Sequence, residues 1–151
     1  MIDQISVVMP TYNAMPFLKA AVESILTQSF KDFEFLIVND GSTDESKDYL
    51  DSLSDPRIRV IHQTRGGLVA ALNIGIQQAK HEWIARMDAD DIALPRRLEK
   101  EVAFLNVNPN YVLVSCAFGY HPQGEHVQHQ PPRSPLRGSA QSDRRAFSAL
   151  R

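Results

Sequence analysis

The segment Asp88-Ala89-Asp90-Asp91 carries three carboxylates in four residues, directly after the apolar run Trp83-Ile84-Ala85-Arg86-Met87. Carboxylates this close repel one another unless protons or a cation neutralise them. Oxygen ligands with no neighbouring His or Cys suit a hard divalent ion, Mg²⁺ or Mn²⁺, better than zinc. The alternative is a solvated acidic loop ahead of a helix expected from Pro95, with Asp91 as the capping candidate. Two further residues add chemistry of another kind. The Asp40 carboxylate can accept hydrogen bonds from a base edge or a ribose hydroxyl, and the Tyr12 ring offers a plane on which a base can stack. Each also has an ordinary use, since Asp40-Gly41-Ser42 is a common turn and capping sequence and Tyr12 can be a plain surface aromatic. Gly66-Gly67 reads first as a turn, and second as a loop whose backbone could approach a phosphate.

Positioning these groups requires the elements between them. Ile5 to Met9 is mostly β-branched and ends at Pro10, which cannot donate to a ladder, so a short strand is expected to close there. Pro16 suits a first helical turn, and Leu18, Ala21, Val22, Ile25 and Leu26 follow at helical spacing. Phe33 to Val38 gives a second strand, followed by a helix from Glu45 to Leu53 that Ser, Thr and Asp can cap. A third strand, Arg57 to His62, leads to a helix from Leu68 to Ala79 with Leu68, Ala71, Leu72, Ile76 and Ala79 on one face. Trp83 to Met87 is the fourth strand, Pro95 to Asn106 a further helix, and Tyr111 to Phe118 one more strand, in which Cys116 is expected as a small buried hydrophobe. Strands alternating with helices predict an α/β fold, a mostly parallel sheet with helices on both faces. Ligands of such sheets bind beyond the carboxyl ends of the strands, which here gathers Thr11-Tyr12, Asn39-Asp40 and the acidic cluster on one rim.

The 151 residues and 43% apolar content suffice for one domain with an ordinary core. A formal net charge of -2 calls for neither nucleic acid nor an anionic membrane as partner. A single cysteine excludes an internal disulfide, and no apolar run approaches the roughly 20 residues of a membrane span. A cytosolic protein is expected. Past Gly119 the composition turns to Pro, Gly, His and Arg without apolar periodicity, and Arg133, Arg137, Arg144, Arg145 and Arg151 face only Glu125 and Asp143. Residues 119–151 are expected to form an irregular tail, read as a linker, a truncation or a frame disrupted after about His126. The scattered arginines argue against a nucleic-acid arm.

Three motifs in order, Val7-Val8-Met9-Pro10-Thr11-Tyr12-Asn13, Ile37-Val38-Asn39-Asp40-Gly41-Ser42-Thr43-Asp44 and Met87-Asp88-Ala89-Asp90-Asp91, resemble the family-two inverting glycosyltransferases of GT-A fold. The resemblance covers about Ile5 to Cys116, with Asn73-Ile74-Gly75 and Pro95-Arg96-Arg97-Leu98 included. It implies that residues 1–118 are the nucleotide-sugar-binding half of such an enzyme. By the same resemblance Pro10, Thr11 and Tyr12 line the uracil or other base, Asp40 reads the base edge, Asp88 meets the ribose or diphosphate, and Asp90 ligates Mn²⁺ or Mg²⁺. The implied reaction moves a sugar, with inversion, from a nucleotide-diphospho-sugar, foremost a UDP-sugar, to an acceptor hydroxyl of a glycan or polysaccharide precursor. That hydroxyl needs a carboxylate base. In the family it lies well downstream of the acidic cluster; here the acids after Glu101 are Glu125 and Asp143, neither in a matching context, so no base is assigned. The competing expectation is a non-catalytic nucleotide-binding or partner-docking module whose open sheet edge pairs with another chain, a second copy included. The family also allows a location peripheral to the inner face of a membrane. A phosphotransfer site of the receiver type leaves Tyr12 and the Asn39-Asp40-Gly41-Ser42 loop unexplained.

Overall fold

Strands β1 (Ile5–Thr11), β2 (Phe33–Asp40), β3 (Ile58–Gln63) and β4 (Ile84–Arg86) pair in parallel in the order β3-β2-β1-β4. They alternate with helices α1 (Leu18–Leu26), α2 (Ser46–Asp51), α3 (Leu68–Gln78) and α4 (Arg97–Val107). This computed structural model describes residues 1–116 and Gly119, and Met1–Cys116 forms one compact unit. The expectations for the tail fall outside the described residues. Element ends differ from the sequence reading by a residue or two, as helix and strand ends ordinarily do.

β1 and β2 are buried along their whole length, which is why they read as near-continuous apolar runs. Alternate residues serve opposite faces. Val7, Met9, Phe35 and Ile37 join Leu18, Val22, Ile25, Leu50, Leu98 and Val102 in one core. On the other face α3 lies so close to the sheet that a Cβ at Gly75 would stand 2.4 Å from Val8 Cγ1. The expected apolar face of α3 is therefore corrected: Ala71 and Gly75 are its buried residues, whereas Leu68 and Ile76 are 53% and 41% exposed. Small residues four apart let the helix backbone approach the strands.

Two other expectations fail for physical reasons. β1 does not close at Pro10 but runs to Thr11, with Pro10 opposite Val38. Ile5 N–H donates to Asp32 on the β2 side, while Ser6 N–H donates to Trp83 and Val8 C=O accepts from Met87 on the β4 side. By this alternation Pro10 faces β4, which ends at Arg86 opposite Val8, so no ladder bond is lost. Tyr111 to Cys116 is not a strand. Val112 and Leu113 are 86% and 64% exposed, and Cys116 is exposed rather than buried. Among the described residues no neighbouring strand takes up the backbone groups of this segment.

Buried polar groups fix the connections that carry the acidic cluster. On the α3 face Ser6 Oγ donates to Glu34 Oε1 (2.6 Å), which also accepts the Lys80 N–H, and His81 N–H donates to Ser6 Oγ. This holds the turn from α3 into β4. After the cluster, the fully buried Gln28 donates to Leu94 C=O (2.7 Å) and Ser24 C=O (3.0 Å) and accepts Leu98 N–H (3.0 Å), one of the first-turn donors of α4 that the helix itself cannot satisfy. Gln28→Leu is expected to strand that N–H and cost about 2 kcal/mol, read as a lower urea midpoint at unchanged slope.

Candidate functional site

The carboxyl ends of the parallel strands bring Pro10, Thr11, Tyr12 and Asp40 together in one cavity of about 200 Å³, completed by Arg65, Gly67, Leu68 and Ala71. The walls are thus the ends of β1 and β2 and the start of α3. A larger cavity of about 420 Å³ opens at the opposite end of the sheet, among residues such as Lys31, Arg57, Arg59 and Lys80, and contains none of the sequence-predicted site residues. Thr11 is 3% exposed, and its hydroxyl is buried without a hydrogen-bond partner. A group of this kind at a cavity wall is satisfied when a ligand supplies the partner.

Asp40 is tied into the protein more tightly than the sequence suggests. Its Oδ1 accepts the Gly66 N–H (2.7 Å) and the Gln63 amide, and its Oδ2 accepts the Gly67 N–H (2.8 Å). Only 3% of the residue is exposed. Burial alone would raise its pKa; the bonds from Gly66, Gln63 and Gly67, with the nearby Arg65 charge, outweigh it and hold the carboxyl below its ordinary value. The carboxylate therefore sits at the amino-terminal end of α3, where a negative charge is favoured. The Gly66 and Gly67 N–H groups are consumed here, which removes them as phosphate donors.

The Tyr12 loop is clasped to the loop after β2. Asn13 takes φ +46°, a conformation that asparagine tolerates better than most residues. Its Oδ1 accepts the Thr43 N–H (2.7 Å), and its own N–H donates to Ser42 Oγ (3.0 Å). Asp44 accepts the N–H groups of Met15 (3.1 Å) and Ser46 (3.0 Å); burial opposes ionisation there, but the Ser46 and Met15 bonds win and lower its pKa. Tyr12 is held at the cavity mouth, with the Arg65 guanidinium 4.1 Å from its ring centroid.

The acidic cluster lies on the same edge of the sheet, beyond β4, and does not line this cavity. Its charge is partly answered from within. Arg86, two residues upstream, grips Asp88 at 2.8 and 3.1 Å, and Arg97 donates to Arg86 C=O (2.9 Å). Asp90 and Asp91 are exposed. Asp91 does not cap α4: the helix begins after Arg96 with no side-chain cap, and the Asp91 N–H closes a turn onto Asp88 C=O. Among the described residues no three His, Cys, Asp or Glu side chains converge on a metal position.

A family model described as glycosyl transferase family 2 matches residues 6–149. The chain belongs to that family. The glycosyltransferase EpsJ of Bacillus subtilis, itself uncharacterized, is 36% identical over 138 residues, which cover 88% of this chain and 39% of that protein. Among solved structures, residues 1–349 of Staphylococcus aureus TarS in complex with UDP-GlcNAc superpose with a TM-score of 0.65 at 28% identity, over 69% of this chain and 31% of that one. The Pyrobaculum calidifontis mannosyltransferase PcManGT, in complex with GDP-Man and Mn²⁺, gives 0.61 at 26%, over 67% and 32%. This glycosyltransferase chain thus spans less than half the length of these relatives. Its parallel sheet with helices on both faces is the GT-A arrangement that the motifs imply, and no helix among the described residues is long and apolar enough to cross a membrane.

Sequence reasoning missed Gln63, Arg65 and Arg86 in this family 2 domain. Arg86 had a local signal, a basic residue only two positions before Asp88. Gln63 and Arg65 depend on the pairing of β2 with β3, which sets Gln63 beside Asp40.

Proposed function

We propose that this chain, through residues 1–118, is the donor-binding part of an inverting glycosyltransferase that takes a nucleotide-diphospho-sugar, a UDP-sugar foremost, and serves transfer to an acceptor hydroxyl of a glycan. The observation that carries this is the cavity at the ends of β1 and β2, where an unpaired buried Thr11 hydroxyl adjoins the Tyr12 ring. A base stacks on the ring while its edge meets Thr11 and the rim of Asp40. The diphosphate then points along the carboxyl edge towards Asp88. The nucleotide sugars bound by TarS and PcManGT support this class of ligand. Cys116, an exposed free thiol, fits a reducing cytoplasm.

A divalent ion fits the donor set in a limited way. Mg²⁺ is commonly held by one or two carboxylates together with substrate phosphates, and the exposed Asp90, with Asp88 two residues before it, offers that number. A bound ion would supply charge to the departing diphosphate. The protein's own share is to hold base and diphosphate apart along one rim, and to orient Asp88 through its contacts with Arg86. Calorimetry of the 151-residue chain with UDP and Mn²⁺ tests the proposal. Binding should weaken about tenfold or more, the effect of about 1.4 kcal/mol, when Mn²⁺ is chelated or in Asp90→Ala. A folded chain that binds no nucleoside diphosphate sinks it.

One observation favours the docking-module reading: among the described residues β4, three residues long, pairs with β1 alone, and its own Ile84 is 37% exposed. Sustained diphosphate release by this chain with candidate acceptors excludes that reading.

A further inference from the structure

The backbone of Arg65 is held on both sides, whereas the residue is exposed to solvent. The next two N–H groups, of Gly66 and Gly67, are bound to the Asp40 carboxylate. On the other side Gly41, at φ +69°, admits the Arg65 backbone so closely that a Cβ at position 41 would lie 2.9 Å from Arg65 N. The loop is therefore fixed against the turn after β2. From this fixed point the guanidinium reaches over the Tyr12 ring, 4.1 Å from its centroid, and both residues line the cavity. A flat cation stacked on a flat ring occupies the kind of place a base would take. Beside it stands Thr11, nine-tenths buried and more, with its hydroxyl unpaired. The site thus has a stacking face already in use and a hydrogen-bonding group not in use.

We infer that Arg65 holds the place of the base until a ligand displaces it and is the residue that selects nucleoside diphosphates over nucleosides. This rests on the donor-site reading and deepens it. A base that stacks on Tyr12 and bonds Thr11 must displace the guanidinium, and the displaced cation loses its contact with the ring. A nucleoside gives nothing in return. A nucleoside diphosphate carries the anion with which the freed guanidinium pairs, in charge-assisted hydrogen bonds that a planar fork makes well. The same residue then opposes the first ligand and favours the second.

The test is calorimetric titration of uridine and of UDP, at one Mn²⁺ concentration, into the wild-type chain, Arg65→Ala and Arg65→Lys, each shown folded by circular dichroism. Arg65→Ala should bind uridine about twofold to fivefold tighter, the range of an exposed cation–ring contact. It should bind UDP about tenfold weaker, as for a lost charge-assisted contact. Arg65→Lys, which keeps the charge and loses the flat fork, should gain in uridine affinity while staying within about threefold of wild type for UDP. Weaker or unchanged uridine binding by Arg65→Ala overturns the inference, because the guanidinium is then a wall on which the base rests or plays no part. Unchanged UDP binding by that variant overturns it too. If the wild type binds neither ligand, the donor-site reading itself fails; if it binds UDP and only the uridine ordering fails, the donor site stands and this inference alone is wrong.

Discussion

Asp40→Asn is expected to lower UDP affinity by about thirtyfold or more and to destabilise the fold by about 2–4 kcal/mol. The carboxylate accepts from three donors, the Gly66 and Gly67 N–H groups and the Gln63 amide. An amide at this position turns one acceptor into a donor, so at least one buried N–H faces another. Bonds to a charged acceptor contribute about 1.5–3 kcal/mol each, and a stranded donor adds its desolvation cost. The loop so loosened carries Arg65 and opens α3, so the cavity loses shape together with stability. Acid gives the same result by another route. Because the folded pKa lies below the ordinary 3.8, Asp40 contributes its stability in full above that value and loses it as pH falls through the folded pKa. Urea titrations from pH 6 down to pH 3 should show the wild type losing more stability than Asp40→Asn over the acid end. Equal stability of the two proteins at pH 7 would show that Asp40 does not anchor the loop.

The fold was readable because the buried strands are long apolar runs punctuated by turn residues, which also fixed where Tyr12, Asp40 and Asp88 stand along the chain. Thr11, Tyr12 and Asp40 do meet in one cavity. What could not be read is whatever depends on a partner far along the chain. The binding of Asp40 to residues 63–67 follows from the β2–β3 pairing, and no local pattern announces it. Pro10 misled because the rule about ladder donors takes no account of where the neighbouring strand stops. Tyr111 to Cys116 misled in the opposite way: an apolar run is a strand only where another strand can pair with it. In α3 the large residues set the apparent periodicity, while the contact is made by the small ones, Ala71 and Gly75, which weigh little in an apolar pattern.

That helix supplies the other large effect. Glycine within a helix costs about 1 kcal/mol relative to alanine, so Gly75 in the middle of α3 is unfavourable by itself. Its use is contact: an added Cβ would stand 2.4 Å from Val8 Cγ1 and 3.4 Å from Val38 Cγ2. Gly75→Ala gains the propensity, about 1 kcal/mol, and loses about 1–3 kcal/mol to overpacking, for a net destabilisation of up to about 2 kcal/mol. Gly75→Val adds two methyl groups against the same strands and a β-branched side chain within the helix, and should cost about 4 kcal/mol, a large part of the 5–15 kcal/mol that stabilises a typical domain. Val8→Ala removes Cγ1 and leaves Val38 Cγ2 and Val8 Cβ, at 3.4 and 3.6 Å, as the nearest atoms, both ordinary contacts. The double variant Val8→Ala, Gly75→Ala should therefore be more stable than the two single effects add up to, by about 1 kcal/mol or more in a double-mutant cycle. Additive losses would mean that α3 shifts freely on the sheet. It should not, because α3 packs on both central strands at this point, against Val8 of β1 and Val38 of β2, and its first turn lines the cavity through Leu68 and Ala71.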